Sequence, residues 1–277
     1  MTKIIVFTVR KGGEGKTTLS TNQAGLLSKQ GKTLIIDLDQ QGHVIKSFGY
    51  NPKDIKTKNI IDVIKDNITL EKALFTSSDH SNINIDILAS KSELASFIHE
   101  TGGVKRIANL IKKISVSNKY KYIVIDTAPA FDDLTWELMD LANLLAIPFA
   151  CSNYSTEAVS DMIEPESLKN FKMNNAKLKF LIIPNKYKLI SRKGIESVNS
   201  MYKLALDDIR NKANSKDIYF SNLISNSDQY NMAVNFEQIP LTLAKPTKVN
   251  RNLKAYEKPL DEQQELNKQI IKLLGGK

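Results

Sequence analysis

The chain has 277 residues, 42% of them hydrophobic, with 39 Lys and Arg against 30 Asp and Glu and a net charge of +9. That length and apolar content suffice for one large buried core. No apolar run approaches the roughly 18 residues of a membrane span, and the single Cys151 excludes an intramolecular disulfide or a cluster ligated within one chain.

The first predicted element is a strand over 3–8, carried by Ile4-Ile5-Val6-Phe7. An apolar start that runs straight into a loop predicts no signal peptide, so a cytoplasmic protein is expected. The loop reads Lys11-Gly12-Gly13-Glu14-Gly15-Lys16-Thr17-Thr18. A general phosphate-binding loop has Gly, four residues, then Gly-Lys-Ser/Thr. Arg10 stands at the first glycine position, so that pattern strictly fails, whereas a version with a lysine ahead of the glycine pair fits throughout. Gly12, Gly13 and Gly15 allow consecutive N–H groups to turn toward one anion. The helix that follows aims its positive end at the same place. Lys16 can reach the β- and γ-phosphates, and Thr17 is placed to ligate Mg²⁺. Nucleotide binding follows, with Thr18 completing the loop.

The helix after the loop spans 16–30 and is expected to be amphipathic, with Leu19, Ala24, Leu26 and Leu27 as its apolar positions and Gly31 closing it. A strand over 33–38 leads into Asp37-Leu38-Asp39-Gln40-Gln41-Gly42. The polar stretch 49–82 predicts loops and short helices, including one near 59–65. Next come a strand at 84–89, a helix over 91–115, and a strand over 121–126 ending in Asp126-Thr127-Ala128-Pro129. Further helices are expected at 133–141, 155–172, 194–212 and 251–274, and further strands at 143–149, 179–184 and 218–223. Short, continuously apolar strands between helices imply an α/β fold: one doubly wound, mainly parallel sheet with helices on both faces, in a single domain over 1–277. Ligands of such sheets bind at the carboxyl ends of the strands, where Lys11, Asp39 and Asp126 all fall.

These motifs, in this order, resemble the deviant Walker A family of ParA/MinD ATPases, and the partition branch (ParA/Soj-like) in particular. The resemblance implies ATP and Mg²⁺ as cofactors and slow ATP hydrolysis. It implies a nucleotide-sandwich homodimer in which Lys11 reaches the partner's phosphates. Lys11 and Lys16 would act on the phosphates, Asp39 would position the attacking water, and Thr17, Asp126 and Asp39 would serve the metal. The chain departs from the family pattern at Gln40, where proline is usual, and at Glu14, where a small or apolar residue is usual.

The strand at 179–184 continues into Asn185-Lys186-Tyr187-Lys188. GTPases of the wider class carry an aspartate at the last of these positions to accept from guanine. A lysine cannot accept, so ATP is preferred, with Asn185 as the candidate base contact. Between Lys169 and Lys216 there are 12 basic residues against three acids, an excess equal to the whole net charge. Such a region attracts a polyanion. By resemblance, the dimer binds non-specific DNA and works with a centromere-binding partner of the ParB type, associated with the nucleoid. Lys186, Lys188, Arg192 and Lys193 are the candidate DNA contacts. The family's Ile-Pro-Arg before a late helix reads Ile224-Ser225-Asn226 here, so that arginine contact is lacking.

Two other readings remain open at this point. One is a MinD-like membrane-cycling ATPase using Gln269–Leu274 as a short amphipathic anchor, against which packing of that segment is preferred and stable membrane insertion is not expected. The other is a metabolic ATP-dependent ligase or kinase. Trp136 is expected to be a packing residue, and His43, His80 and His99 have no ligand spacing.

Overall fold

In the strands, alternate residues face opposite sides, so a strand that is apolar at every position must be covered twice. A computed structural model, describing residues 1–51, 53, 58–76, 84–130, 132–150, 153–187, 189–192, 195–198, 200–244 and 253–276, shows this arrangement. The strands β1 (Lys3–Phe7), β2 (Thr33–Leu38), β3 (Phe75–Thr76), β4 (Ile85–Leu88), β5 (Tyr122–Thr127), β6 (Leu144–Ala150) and β7 (Lys179–Asn185) lie in one sheet. With the later strand Ile218–Phe220 at its far edge, the sheet is eight-stranded, in the order Ile218–Phe220, β7, β6, β1, β5, β2, β4, β3. All pairings are parallel except the antiparallel edge pair β3–β4.

The two faces carry separate apolar clusters. Ile4, Val6, Ile36, Ile123, Ile125 and Ile147 face one side; Ile5, Phe7, Ile35, Val124 and Ala146 face the other. The second side is covered by α1 (Lys16–Ser28), the short α2 (His43–Lys46) and the C-terminal helix Leu253–Leu273. The first is covered by α3 (Ile60–Ile64), α5 (Leu94–His99), α6 (Gly103–Val116), α7 (Asp133–Leu141), α8 (Asn153–Ile163), α9 (Pro165–Phe171) and α10 (Ser200–Lys212); α4 (Leu70–Ala73) precedes β3.

Several elements differ from expectation. The helix expected over 91–115 is broken, and Gly102, at φ 73°, restarts the chain as α6. The helix expected over 155–172 breaks at Glu164, whose ψ of 144° is not helical. Pro165 imposes that on its predecessor and then serves as the first residue of α9. The helix expected from 194 starts only at Ser200, because Leu189–Arg192 (β8) and Ile195–Val198 (β9) form a separate antiparallel pair. The edge strand becomes β10 (Ile218–Phe220), ending three residues short. A short helix α11 (Gln229–Met232) continuing into a π-helical turn over Ala233–Glu237 was not anticipated.

The first helix is not amphipathic as expected but buried nearly all round, polar residues included. It lies between the sheet and the C-terminal helix, now α12 (Leu253–Leu273), and satisfies its buried polar groups there. Gln23 Nε2 donates to Gln263 Oε1 at 2.8 Å, and Asn267 Nδ2 donates to Gln23 Oε1 at 3.0 Å. The tail segment Gln269–Leu274 packs rather than presenting a free apolar face: Ile270 and Leu274 are buried in the second cluster, and Lys179 Nζ holds the Leu273 carbonyl at 2.6 Å. Among the described residues, no helix is long and apolar enough to cross a membrane. Residues 251 and 252, at the expected start of this helix, lie outside the described residues.

Asn22 joins α1 to the segment before α12, accepting from Thr242 N at 3.0 Å and donating to Thr18 O at 2.7 Å. Replacing Asn22 with alanine strands a buried N–H, which costs about 1–3 kcal/mol; the expected result is an unfolding free energy lower by that amount, read as a reduced urea midpoint with an unchanged m-value.

Candidate functional site

Parallel strands leave their unpaired carboxyl ends along one edge of the sheet, and the adjacent β1, β5 and β2 bring three loops together there. Phe7 on β1 and Asp37 on β2 both stand in register with Asp126 on β5. The loop from Thr8 to Gly15 then crosses this edge and enters α1. Gly15 caps that helix at φ 90° without any side-chain cap, and no acidic residue occupies the first turn. The first N–H groups of α1 and its positive end therefore stay available to an anion. Gly15 has a second reason to be glycine: a Cβ there would collide with the Asn185 amide.

Thr17 Oγ1 donates to Asp126 Oδ2 at 2.7 Å. Asp126 is fully buried and its Oδ1 has no hydrogen-bond partner. Burial, opposed by Thr17 and Lys16, pushes its carboxyl up to about 7. Lys16 is 6% exposed, and burial lowers its ammonium below the ordinary lysine value, against the pull of Asp126, Asp39 and Glu14. An orphaned carboxylate oxygen beside a threonine hydroxyl is a hard oxygen donor set, which suits Mg²⁺ completed by phosphate and water. The residues present therefore fit the metal.

Asp39 is half-buried, its Oδ1 accepting from Gln41 N at 3.0 Å and its carbonyl from Ser90 Oγ. Sequence reasoning missed Asp37, two residues earlier. Asp37 is fully buried and its carboxylate accepts from Asp39 N at 2.9 Å and Val44 N at 3.1 Å. Burial and the neighbouring Asp126 raise its carboxyl well above the ordinary range. It is the residue that fixes the path of the chain carrying Asp39. The signal available was the Asp-x-Asp spacing at a strand end, in which both carboxylates face one side.

Glu14 is 2% exposed, and its carboxylate accepts from Ala150 N at 2.5 Å and Ser155 Oγ at 2.7 Å. Lys11 lies over it, 3.5 Å from Glu14 Oε1 and 3.1 Å from Ser155 Oγ. The Glu14 carbonyl accepts from Asn185 Nδ2 at 2.7 Å. Asn185 also lines a cleft of about 120 Å³ with Gly15, Thr18, Asn226, Tyr230 and Asn231, beside the loop.

Two of the four candidate DNA contacts lie among the described residues. Lys186 folds back, donating through Nζ to the Gly13 carbonyl, so it belongs to the mouth of the phosphate loop. Arg192 lies on β8, in register with Ile195 of β9. Lys188 and Lys193 lie outside the described residues, as do Cys151 and His80. Asn226, whose N–H donates to Tyr187 O at 3.0 Å, lines the cleft beside the loop. Trp136 packs on Phe171 with ring centroids 4.8 Å apart, as expected of a packing residue.

A family model described as an AAA domain matches residues 2–180. The chain is 27% identical to a ParA family protein of Mycoplasma pneumoniae, over 98% of both chains. It is 30% identical to the sporulation initiation inhibitor protein Soj of Bacillus subtilis, over 63% of this chain and 68% of that one. An ATP complex of McdA from Cyanothece shares the fold with a TM-score of 0.76 at 21% identity, covering 100% of this chain and 97% of the other.

Two outcomes follow from the geometry. Gly15→Ala should abolish nucleotide binding, read with a fluorescent ATP analogue, while leaving the far-ultraviolet spectrum unchanged. Asp126 is expected to give the ligand-free protein a stability that falls with rising pH. Its carboxyl holds a proton in the fold up to about 7 but releases it near 3.8 when unfolded, so the contribution is complete below about 4 and lost as pH climbs through 7. Urea midpoints across that range should flatten in Asp126→Asn, and Mg²⁺-nucleotide affinity of the native chain should weaken as pH drops below about 7.

Proposed function

The chain belongs to the ParA/Soj-like family of P-loop ATPases, and on that premise we propose that it is an ATP-dependent dimerisation switch that partitions DNA. In this reading it binds ATP with Mg²⁺, pairs with a second copy, holds DNA without sequence preference, and lets go when a centromere-binding protein of the ParB type stimulates slow hydrolysis. A plasmid or chromosome is the cargo, and the protein works as one domain in the cytoplasm on the nucleoid.

The observation that carries the reading is Lys11. A phosphate loop already supplied with Lys16 needs no second lysine for its own nucleotide. Lys11 is about one-third exposed and stands at the outer rim of the loop, at the side where α8 begins. A cation in that position is placed to meet charge presented from outside the subunit.

Within each subunit the loop N–H groups would hold the phosphates, and Lys16 would neutralise charge on their oxygens. Thr17 and Asp126 would hold Mg²⁺, with Asp39 acting through water. The metal, when bound, would offset the charge of the phosphates. Asp39 would orient the attacking water, and Asp37 would keep Asp39 in place. Asn185 would meet the adenine in the cleft beside the loop. The basic excess between Lys169 and Lys216, which includes Arg192 on β8, would supply the electrostatic attraction to DNA.

A gel shift on DNA of arbitrary sequence tests this switch. DNA should be retarded with Mg²⁺-ATP but not with ADP, and Lys11→Ala should abolish the shift. Binding indifferent to the nucleotide would sink the reading. The complex should also weaken steeply with added salt, as phosphate contacts require.

A further inference from the structure

Glu14 is the one loop residue whose chemistry the switch does not use. A buried carboxylate in a phosphate-binding loop works against the loop's purpose unless it is satisfied elsewhere. Here three groups satisfy it: the Ala150 N–H at the end of β6, the Ser155 hydroxyl at the start of α8, and the Lys11 ammonium. Ser155 is fully buried and serves both partners, donating to Glu14 and accepting from Lys11 at 3.1 Å. The rim lysine is thus tied at two points to its own subunit.

We infer that Glu14 is a positioning residue that keeps Lys11 on its own subunit and so sets the protein concentration at which two nucleotide-loaded copies pair. The inference rests on the dimerising reading above. To reach a partner's phosphates, Lys11 must leave both Glu14 Oε1 and Ser155 Oγ. The Ala150 and Ser155 hydrogen bonds would keep Glu14 in place after Lys11 departs, so the loop stays intact while the lysine swings. Each dimer breaks two such ion pairs, one per subunit, together with the two Lys11–Ser155 hydrogen bonds. A partly exposed ion pair contributes up to about 1 kcal/mol, so relieving both is expected to tighten dimerisation roughly ten-fold. A nucleotide on one subunit alone cannot complete the exchange, which makes pairing conditional on both being loaded.

Sedimentation of the full chain with Mg²⁺ and a non-hydrolysable ATP analogue, over a concentration series, tests this. The wild type should dimerise, and Glu14→Gln should do so at roughly ten-fold lower concentration. Ser155→Ala, which removes one Lys11 tether but keeps the carboxylate, should shift the midpoint in the same direction by roughly three-fold. Lys11→Ala should remain monomeric in every background. Nucleotide affinity of the monomers is measured in parallel with a fluorescent analogue. An unchanged midpoint in Ser155→Ala overturns the inference, because a shift confined to Glu14→Gln would then reflect only reduced repulsion of the phosphates. An unchanged midpoint in a folded Glu14→Gln overturns it equally. Should Glu14→Gln fail to fold, Ser155→Ala decides alone. A wild type that never dimerises removes the dimerising reading itself, and a wild type that dimerises without either shift removes only the role given to Glu14.

Discussion

Asp126 is carried by a central parallel strand into full burial, where one carboxylate oxygen meets Thr17 and the other meets nothing. A second carboxylate, Asp37, stands beside it in register on β2. Two buried acids side by side are unfavourable as charges, and both are pushed toward the protonated form. Lys16, itself driven toward neutrality by burial, is the near cation that limits the imbalance. The acids thus call for more positive charge than Lys16 gives, and the helix end and loop N–H groups call for an anion. A metal ion carried on a polyphosphate supplies both at once. That complementarity explains why the site is built as one unit and why its parts come from three different strand ends.

The features of the sequence that obey local rules were legible. Strands buried on both faces are apolar at every position, so their existence and order could be read directly. The loop was legible because glycine, lysine and threonine at that spacing have few other uses. The elements misread are those decided by neighbours distant in sequence. Residues 195–198 were taken into a helix that starts at Ser200, because an antiparallel partner at 189–192 overrides local preference there. Helix α1 looked amphipathic because its polar residues were assigned to solvent, whereas Gln23 and Asn22 meet Gln263, Asn267 and Thr242 over 200 positions away in the chain. Asp37 was passed over because its neighbour Asp39 satisfied the motif, and only the structure shows that Asp37 holds the backbone of Asp39.

Two of the departures from the family pattern, Glu14 and Asn226, become intelligible once their contacts are known. Sequence gives the identity of a residue in a loop but not the side to which it points. Glu14 is buried, and its charge is matched by the Ala150 N–H and the Ser155 hydroxyl. Asn226 lines the cleft beside Asn185 and Gly15, next to the phosphate loop.

Glu14 also links two regions that are otherwise separate. Its carbonyl is bonded to Asn185 in the base cleft, and its carboxylate to the residues that hold Lys11 at the rim. Between those two contacts lies only one residue's own backbone. A ligand that moves Asn185 must therefore either move Glu14 or break a hydrogen bond made inside the fold. Because the carboxylate is anchored on β6 and α8, displacement of the carbonyl alone would twist the peptide planes on either side, and one of these leads to Gly15, the left-handed position that opens α1. The cleft, the phosphate loop and the hold on Lys11 thus meet at one residue, through its main-chain carbonyl on one side and its carboxylate on the other.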